Sequence, residues 1–330
     1  MSEYVVGGPY FEDLEVGDVF TEAPAVTLTP GLAAAHQSIV GNRLKLALDE
    51  QLSRRVLGGN AVMAHPSLVW DISIGQSTAV TQRVVANLFY RGFAFHRAPQ
   101  LGDTLSTRTE VVALRQNRSR PTGLAALRVT TTDQQDRLVL DFWRCAMLPL
   151  RDPGVDTGKR EDLDAVGRPP QTEVVAGLVD GFDLTAFPAG GQQVLPGDVW
   201  HVESGDVVSS APELARLTLN VAAVHHDEFA GGSGRLVYGG HTIGIAMSQV
   251  NRALPNLVAV AGWHGCDHLG PVREGDTLYS RISAEEVEQL PGGGVLVHLG
   301  VRVRARSASD PAEREVLDWR PIVVLASGGS

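Results

Sequence analysis

The sequence has few cysteines, no long apolar run and no excess of basic residues. Its two cysteines among 330 residues, Cys145 and Cys266, exclude a disulfide-rich secreted scaffold and fit a reducing compartment. No apolar stretch approaches the roughly 20 residues that span a bilayer. The acidic segment MSEYVVGGPYFEDLEVGD lacks the charged-then-apolar pattern of a signal peptide. We therefore expect a cytoplasmic protein that has no membrane partner.

The charge balance argues against nucleic acid as a ligand. The net charge is −10. The first 150 residues are balanced and the whole acidic excess lies beyond residue 150, so neither half resembles a basic nucleic-acid binder. An anionic ligand would need a local basic or amide-lined pocket. A hydrophobic content of 43% and a mean hydropathy of −0.01 are typical of globular proteins, and the length suffices for two domains.

Three segments of the first half recur in the second half at a nearly constant offset. GDVF at 17–20 recurs as GDVW at 197–200, LGDTLSTR at 101–108 as EGDTLYSR at 274–281, and LVLDFWR at 138–144 as EVLDWR at 315–320. This pattern indicates a tandem duplication. Polar residues rich in proline, glycine and charge separate the copies. We predict one unit at 9–150, a linker at 151–179 and a second unit at 180–330.

Each unit has the same predicted order of elements. A short strand and a capped helix come first, followed by a longer apolar helix at 65–80 or 240–254 and four segments of β character. Thr29 followed by Pro30 predicts one helix cap, and Ser210 with Glu213 predicts a capping box at the matching helix. One long helix followed by antiparallel strands predicts an α+β domain whose sheet wraps the helix.

The second unit carries a polar motif, Asn220-Val-Ala-Ala-Val-His225-His226-Asp227, followed by VYGGH at 237–241. Its spacing resembles the Asp-x-Asn-Pro-Leu-His-x-Asp signature of the MaoC-type enoyl-CoA hydratases, in which an Ile-x-His-Gly segment begins the central helix. The N-x-A-x-V-H form, the VYGGH segment and LRQNRSRPTG at 114–123 resemble the mesaconyl-CoA hydratase (β-methylmalyl-CoA dehydratase) branch. The resemblance covers nearly the whole chain. It implies a double hot-dog fold, with two tandem units that each wrap an antiparallel sheet around a long central helix.

The chemistry of hydration explains the residue types in the motif. Adding water to an α,β-unsaturated thioester requires a base for the water and a donor for the charge that develops on the thioester oxygen. His225 is the predicted base because histidine titrates near neutrality. Gly240 is the predicted position of the amide donor at a helix start, where no side chain blocks close approach. Asn220 replaces the family aspartate, and an amide orients water but does not shuttle protons.

The sequence leaves several candidates for the group that delivers the proton to the α-carbon. Either His225 accepts and donates, or His226, Asp227 or His241 supplies the second function. The first unit offers no equivalent base. Ala47 stands where His225 stands, and Pro66, which has no N–H, takes the position of Gly240. We therefore predict that the first unit is a catalytically degenerate copy that shapes the acyl pocket.

Further substrate contacts are predicted around the motif. The helix start and the repeat alignment together predict five contacts: Tyr238, Gly239, His241, Trp263 and His268. HGCDH at 264–268 would place His264, Cys266 and His268 on one strand face, but no fourth ligand is evident and we predict no metal site. Arg115 and Arg118 are candidates for the coenzyme A phosphates, with a solvated loop as the alternative.

The resemblance implies a hydro-lyase that adds water to, or removes it from, a short and branched 2-enoyl-CoA such as mesaconyl-CoA. No cofactor is implied beyond the coenzyme A of the substrate, and hot-dog units imply a homodimer or higher homo-oligomer. The alternatives are a biosynthetic dehydratase acting on another acyl thioester, a thioesterase whose carboxylate is Asp227 or Asp267, and a non-catalytic acyl-CoA-binding subunit. Arg216, Arg235 and Arg252 are unranked candidates to bind a substrate carboxylate.

Overall fold

The computed structural model of the chain describes residues 2–188, 190–230, 234–308, 310 and 312–327. The strands of the first repeat are β1 Val19–Phe20, β2 Val26–Thr27, β3 Ala86–Phe95, β4 Thr104–Gln116, β5 Thr122–Thr132 and β6 Leu138–Pro149. Those of the second are β7 Val199–His201, β8 Asp206–Val207, β9 Leu257–His268, β10 Thr277–Gln289, β11 Val295–Arg306 and β12 Arg314–Leu325. The helices are α1 Pro30–Val40, α2 Lys45–Leu48, α3 Glu50–Leu57, α4 Pro66–Gln76, α5 Thr172–Gly177, α6 Ala211–Leu217 and α7 Gly239–Ala253, with 3-10 turns at Phe11–Asp13, Ser77–Thr81, Leu184–Ala186 and Ala223–His225.

Within the described ranges, the strands form one twelve-stranded sheet. Its order is β1-β4-β5-β6-β3-β9-β12-β11-β10-β7, with β2 beside β4 and β8 beside β10. The two halves of this order match each other outward from the centre. The centre is the antiparallel pair β3–β9, in which Phe89 lies opposite Asp267 and Ala94 lies opposite Gly262. The predicted α+β class is confirmed, and the duplicated halves share one continuous sheet.

The two long helices lie inside the curve of this sheet. Every residue of α4 is buried, and so are all residues of α7 from Gly240 to Asn251. A helix that is buried on every side must be apolar all round or must pair its polar groups. The sequence of α4 meets this requirement, since Asp71 pairs with His36 and Ser73 bonds to Thr131. The two helices predicted at 65–80 and 240–254 are confirmed as the core of the fold.

A pair of equivalent glutamines repeats the same contact in both halves. The side-chain amide of Gln76 donates to the carbonyl oxygen of Leu105 at 3.1 Å, and that of Gln249 donates to the carbonyl oxygen of Leu278 at 2.9 Å. Both glutamines lie near the C-terminal ends of the two central helices, and each leucine is the second residue of the strand that begins with the Thr of a GDT sequence. The duplication therefore extends to individual hydrogen bonds between helix and sheet.

One of the two predicted helix caps is wrong. The Thr29 hydroxyl accepts a hydrogen bond from the Leu32 amide at 3.1 Å, as predicted for the start of α1. At α6, however, Ser210 adopts a left-handed conformation with φ of 58° and makes no cap hydrogen bond. The carboxylate of Glu274 accepts from the Ala211 amide instead, at 3.2 Å. A capping box needs an extended backbone at the cap residue, and this turn does not provide it.

The predicted common face of His264, Cys266 and His268 is also wrong. The pairing of β9 with β12 skips His264, because Arg320 lies opposite Gly265 and Pro321 lies opposite Trp263. Such a bulge interrupts the alternation of side chains. His264 therefore lies on the exposed face, where its ring stacks on His298 at 5.0 Å, whereas Cys266 is buried in the core.

Residues 151–179 cover the outer face of the first half of the sheet. Leu163 is buried in a cluster with Ala126 and Cys145, and the carbonyl oxygens of Leu163 and Val166 accept hydrogen bonds from Arg91. A polar composition thus does not make this segment a free tether, and the unit boundaries stay a prediction. Across the described residues, no helix has both the length and the apolar character needed to cross a bilayer.

Helix α4 of the first half packs directly on the polar motif segment of the second half. A methyl group on Gly75 would lie 1.7 Å from the Thr218 carbonyl oxygen and 3.1 Å from the Asn220 amide nitrogen. Real side chains do not approach backbone so closely, so any larger residue would push this segment away. Gly75 therefore sets the distance between the first unit and the motif.

We expect Gly75→Ala to destabilise the protein by about 1–3 kcal/mol or more, because overpacking displaces backbone. Urea denaturation would measure this change. Gly31→Ala is the matched control, because Gly31 is exposed in α1 and its added methyl group would meet nothing closer than 3.9 Å. That control should leave stability unchanged or raise it slightly, since alanine is the better helix former. Equal midpoints for the two variants would contradict the proposed contact.

Candidate active site

The segment that carries Asn220 and His225 is held by backbone contacts to the first half. The Val221 amide donates to the Thr78 hydroxyl at 2.9 Å, and the Ala223 amide donates to the Gln82 carbonyl oxygen at 2.9 Å. Thr78 and Gln82 follow the end of α4, so the neighbouring unit positions the motif. The segment then forms the short 3-10 turn Ala223–His225, which directs the His225 side chain toward the interior.

His225 is held in one tautomer. Its Nδ1 atom lies 3.0 Å from the carbonyl oxygen of Leu236. A carbonyl oxygen only accepts, so Nδ1 carries the proton and Nε2 retains a lone pair. Nε2 has no hydrogen-bond partner among the residues that the structure describes. Burial lowers the pKa of His225 to about 4, against the opposing effect of the Leu236 hydrogen bond. The imidazole is therefore neutral at pH 7, as a base requires.

Asn220 lies beside His225 with one end of its amide occupied. Its side-chain Oδ1 atom accepts from the Ala222 backbone amide at 3.0 Å, and its backbone N–H donates to the Ala215 carbonyl oxygen at 2.9 Å. Oδ1 is assigned from this donor, Nδ2 donates to none of the described residues, and Asn220 lines the cavity. Asn220 is only 2% exposed. It can thus donate to a water molecule but cannot accept a proton from it.

The start of α7 forms the opposite wall. Among the described residues no side chain caps this helix, so the first amide groups retain their donor capacity. Tyr238 and Gly239 line the cavity, whereas Gly240 faces the first unit. A methyl group on Gly240 would lie 2.0 Å from Oδ1 of Asp71. The absence of a side chain at Gly240 therefore admits Asp71, which sequence reasoning did not foresee.

These groups enclose a cavity of about 290 Å³ that both halves line. His225, Asn220, Tyr238, Gly239 and His268 come from the second half, and Tyr90, Thr78 and Arg144 come from the first. Most other lining side chains are apolar, and no carboxylate of the described residues lines the cavity. Such a pocket suits an acyl chain that must be shielded from bulk water.

The remaining predicted contacts divide into two groups. His268 lines the cavity, where burial lowers its pKa to about 4 and its Nε2 atom packs against Gly239. His241 and Trp263 do not line it. His241 is fully buried within α7, and Trp263 is fully buried against Trp70 in the aromatic core, with ring centroids 4.9 Å apart. Their positions do not support direct contact with a ligand in this cavity.

The other groups that were considered for proton transfer also lie outside the cavity lining. His226 is turned away, with Nε2 at 2.5 Å from the Asn220 carbonyl oxygen. Asp227 is exposed and accepts a hydrogen bond from the Phe229 amide. Arg115 and Arg118 line a separate surface depression with Asp156 and Arg160.

Sequence reasoning missed the contributions of the first unit. Asp71, Tyr90 and Arg144 approach the site from α4, β3 and β6. Of these three residues, only Arg144 could have been identified from the sequence. LVLDFWR has one residue more than its repeat EVLDWR, which changes the face on which the final arginine lies.

A second cavity of about 230 Å³ lies at the equivalent place in the first unit. Asn42, Ala47 and His65 are among its lining residues. His65 directs Nδ1 to the Ser67 amide at 3.1 Å and to its hydroxyl, so this nitrogen is already engaged. Pro66 begins α4 without an N–H group to offer. This cavity thus retains an asparagine but has no histidine at the position of His225 and no N–H group at the position of Gly240.

The tautomer of His225 can be tested directly. We expect nitrogen NMR to show a neutral imidazole with the proton on Nδ1 from pH 8 down to about 5. Protonation should occur near pH 4, because burial disfavours the charged ring. His225→Gln would assign the resonance. A midpoint near the ordinary value of about 6.5, or a proton on Nε2, would contradict the geometry described above.

Known proteins resemble this chain along almost its whole length. No family model matches it. The chain is 30% identical to the β-methylmalyl-CoA dehydratase of Chloroflexus aurantiacus, over 98% of this chain and 97% of that protein. It is 26% identical to the mesaconyl-CoA hydratase of Cereibacter sphaeroides, over 88% and 87% of the respective chains.

Solved structures agree with the sheet described above. A conserved hypothetical protein of Mycobacterium tuberculosis, described as having a double hot-dog fold, is 52% identical with a TM-score of 0.89, over 97% of this chain and 99% of that one. A putative MaoC domain dehydratase of Chloroflexus aurantiacus is 26% identical with a TM-score of 0.85, over 99% and 100%. The predicted double hot-dog fold is confirmed.

Proposed function

Because the chain belongs to the MaoC-type hydratase/dehydratase family, we propose that it adds water reversibly to a short, branched 2-enoyl-CoA, with mesaconyl-CoA as the substrate. One observation carries the proposal. The neutral His225, with a free Nε2 atom, faces an apolar cavity opposite the uncapped start of α7. This cavity provides a base and an amide donor on either side of a space that fits an acyl group.

The proposed reaction balances with these groups alone. Asn220 donates to the water oxygen and orients it, and Nε2 of His225 takes a proton from that water. The oxygen then bonds to the β-carbon while the double-bond electrons move to the thioester oxygen, which the amides of Gly239 and Gly240 stabilise. When the enolate collapses, His225 returns the proton to the α-carbon. The addition is redox-neutral, so the proposal includes no metal or redox cofactor.

His225 is proposed for both proton transfers because of where its rivals lie. His226, Asp227 and His241 do not line the cavity. His268 does, but its Nε2 atom is buried against Gly239. A thioesterase would need a carboxylate near the thioester carbonyl. Asp227 and Asp267 are exposed and outside the cavity lining, so the geometry favours hydration over hydrolysis.

We also propose that the first unit is catalytically degenerate and supports the site from outside. Ala47 offers no base and Pro66 offers no amide, yet Thr78 and Gln82 hold the motif segment in place. Arg115 and Arg118 are proposed to bind coenzyme A phosphates at the surface. The cytoplasmic location and the homo-oligomer stay predictions that fractionation and sedimentation would test.

The direct test is loss of the enoyl absorbance of mesaconyl-CoA with a thiol assay alongside. We expect absorbance to fall without thiol release, and His225→Ala to lower kcat by about 10²–10⁴-fold, the usual contribution of a general base. His264→Ala is the matched control, since that histidine lies on the exposed face. Thiol release would indicate a thioesterase. Neither signal, with thermal stabilisation by the ester, would indicate a binding subunit.

The pH profile follows from the lowered pKa of His225. Hydration and dehydration both begin with the neutral imidazole in this one-base scheme. We therefore expect kcat/KM to stay level from pH 8 to about 5 and to fall below that as Nε2 becomes protonated near pH 4. Stopped-flow assays after a brief pH jump would separate this from unfolding. An acid limb with a midpoint near 6.5 would contradict the assignment of His225 as the base.

A further inference from the structure

Arg144 is a buried guanidinium with no acidic partner in the part of the chain that the structure describes. It is 3% exposed and lines the same cavity as His225. Its Nη2 atom donates to the Ser77 carbonyl oxygen at 3.0 Å and to the Thr81 hydroxyl at 2.8 Å. Its Nε atom is buried without a partner, and no carboxylate among the described residues forms an ion pair with it. A buried charge without a counter-charge costs several kcal/mol.

The repeat shows that this orientation is particular to the first unit. The equivalent arginine, Arg320, pairs with Asp318 and Glu285 on the outer face of the sheet. The first unit contains one extra residue in this strand. Because side chains alternate along a strand, Asp318 and Arg320 share the outer face, whereas Asp141 and Arg144 point to opposite faces. The insertion therefore directs Arg144 inward, beside Phe142.

The three arginines that the sequence offered as candidates to bind a substrate carboxylate already form ion pairs within the protein. Arg216 lies 3.4 Å from Glu213, Arg235 lies 2.7 Å from Glu274, and Arg252 lies 2.5 Å from Asp206. None of these three lines the cavity, whereas Arg144 does. The cavity thus presents a cation in a setting where protein carboxylates are absent from the described lining.

We propose that Arg144 binds the free carboxylate of a dicarboxylic enoyl thioester and so selects it over neutral acyl groups. This inference rests on the proposed hydration at the same cavity. In mesaconyl-CoA the free carboxylate is bonded to the β-carbon, the atom that receives water. A carboxylate at Arg144 would therefore place that carbon close to the base. Arg144 and His225 line the same cavity. Burial lowers the pKa of His225 most, and the charges of His226 and then Arg144 lower it further.

The carboxylate would also supply what the free protein lacks. Arginine binds carboxylates through paired, charge-assisted hydrogen bonds. The Nε atom is unpartnered, and Nη1 donates to none of the described residues. Thr81 and Ser77 fix the opposite atom, Nη2, so the guanidinium is already oriented before a ligand binds. A neutral acyl chain would leave the buried charge uncompensated, which is a penalty against the wrong substrate.

Two esters with the same skeleton provide the test. Mesaconyl-CoA and 2-methylcrotonyl-CoA differ in that a carboxylate replaces a methyl group on the β-carbon. We expect wild-type protein to prefer mesaconyl-CoA, and Arg144→Gln to lower its kcat/KM by about 10²-fold or more, as for other truncated buried charge pairs. The loss with 2-methylcrotonyl-CoA should be much smaller, so that the ratio of the two values falls at least about tenfold. Arg320→Gln is the matched control and should leave the ratio unchanged.

The losses measured on the two esters decide whether Arg144 binds the substrate carboxylate. Equal losses on both esters would overturn the proposal and would assign Arg144 to the thioester, to coenzyme A or to folding. Arg144→Lys keeps the charge without the planar fork, and should lose less of the ratio than Arg144→Gln. If Arg144→Gln fails to fold, the lysine variant alone must still lower the ratio, and an unchanged ratio would overturn the proposal.

Binding separates this inference from the proposed reaction. Calorimetry would measure the affinity of the protein for both esters. If the wild type hydrates neither ester yet binds mesaconyl-CoA more tightly, and Arg144→Gln abolishes that preference, the reaction is wrong and the carboxylate site stands. If hydration of both esters is seen with no preference for the carboxylate in rate or affinity, the reaction stands and the site is wrong.

Discussion

The antiparallel pairing of β3 with β9 is the constraint on which the rest of the molecule depends. It joins two duplicated half-sheets into one and brings α4 and α7 together inside the curve. The candidate active cavity lies at this junction and is lined by both halves. Neither half encloses it alone, because the base and helix amides come from one half and much of the opposing wall comes from the other.

Duplication relaxes the requirement that each copy carry the same chemistry. In the proposed scheme His225 is the single base, so Ala47 and Pro66 of the first unit need not resemble their counterparts His225 and Gly240. The first unit still positions the motif segment through α4, where Gly75 packs against the backbone of Thr218. A copy freed from catalysis can also acquire a new contact, and the inward-facing Arg144 is such a contact.

Burial governs the electrostatics of the site. The low pKa of His225 and His268 arises chiefly from desolvation, and the same effect lowers the pKa of the Arg144 guanidinium. Low solvent exposure keeps the imidazole neutral, and in the proposed reaction it would strengthen each hydrogen bond to the developing oxyanion and make an unpaired cation costly. One physical property, burial, thus underlies both the role that we propose for His225 and the preference that we infer for an anionic acyl group.

The sequence by itself determined the duplication and the two central helices, because these follow from internal repeats and apolar patterning, and its resemblance to a known signature singled out Asn220 and His225. It did not determine the cap at Ser210 or the face of His264, since a left-handed turn and a bulge depend on contacts from distant strands. Only the tertiary structure decided that Asp71 packs on Gly240, that Trp263 is core, and that Arg144 reaches the cavity. Those three contacts depend on how the two units pack together. No local sequence pattern reveals the distance between residues on separate elements.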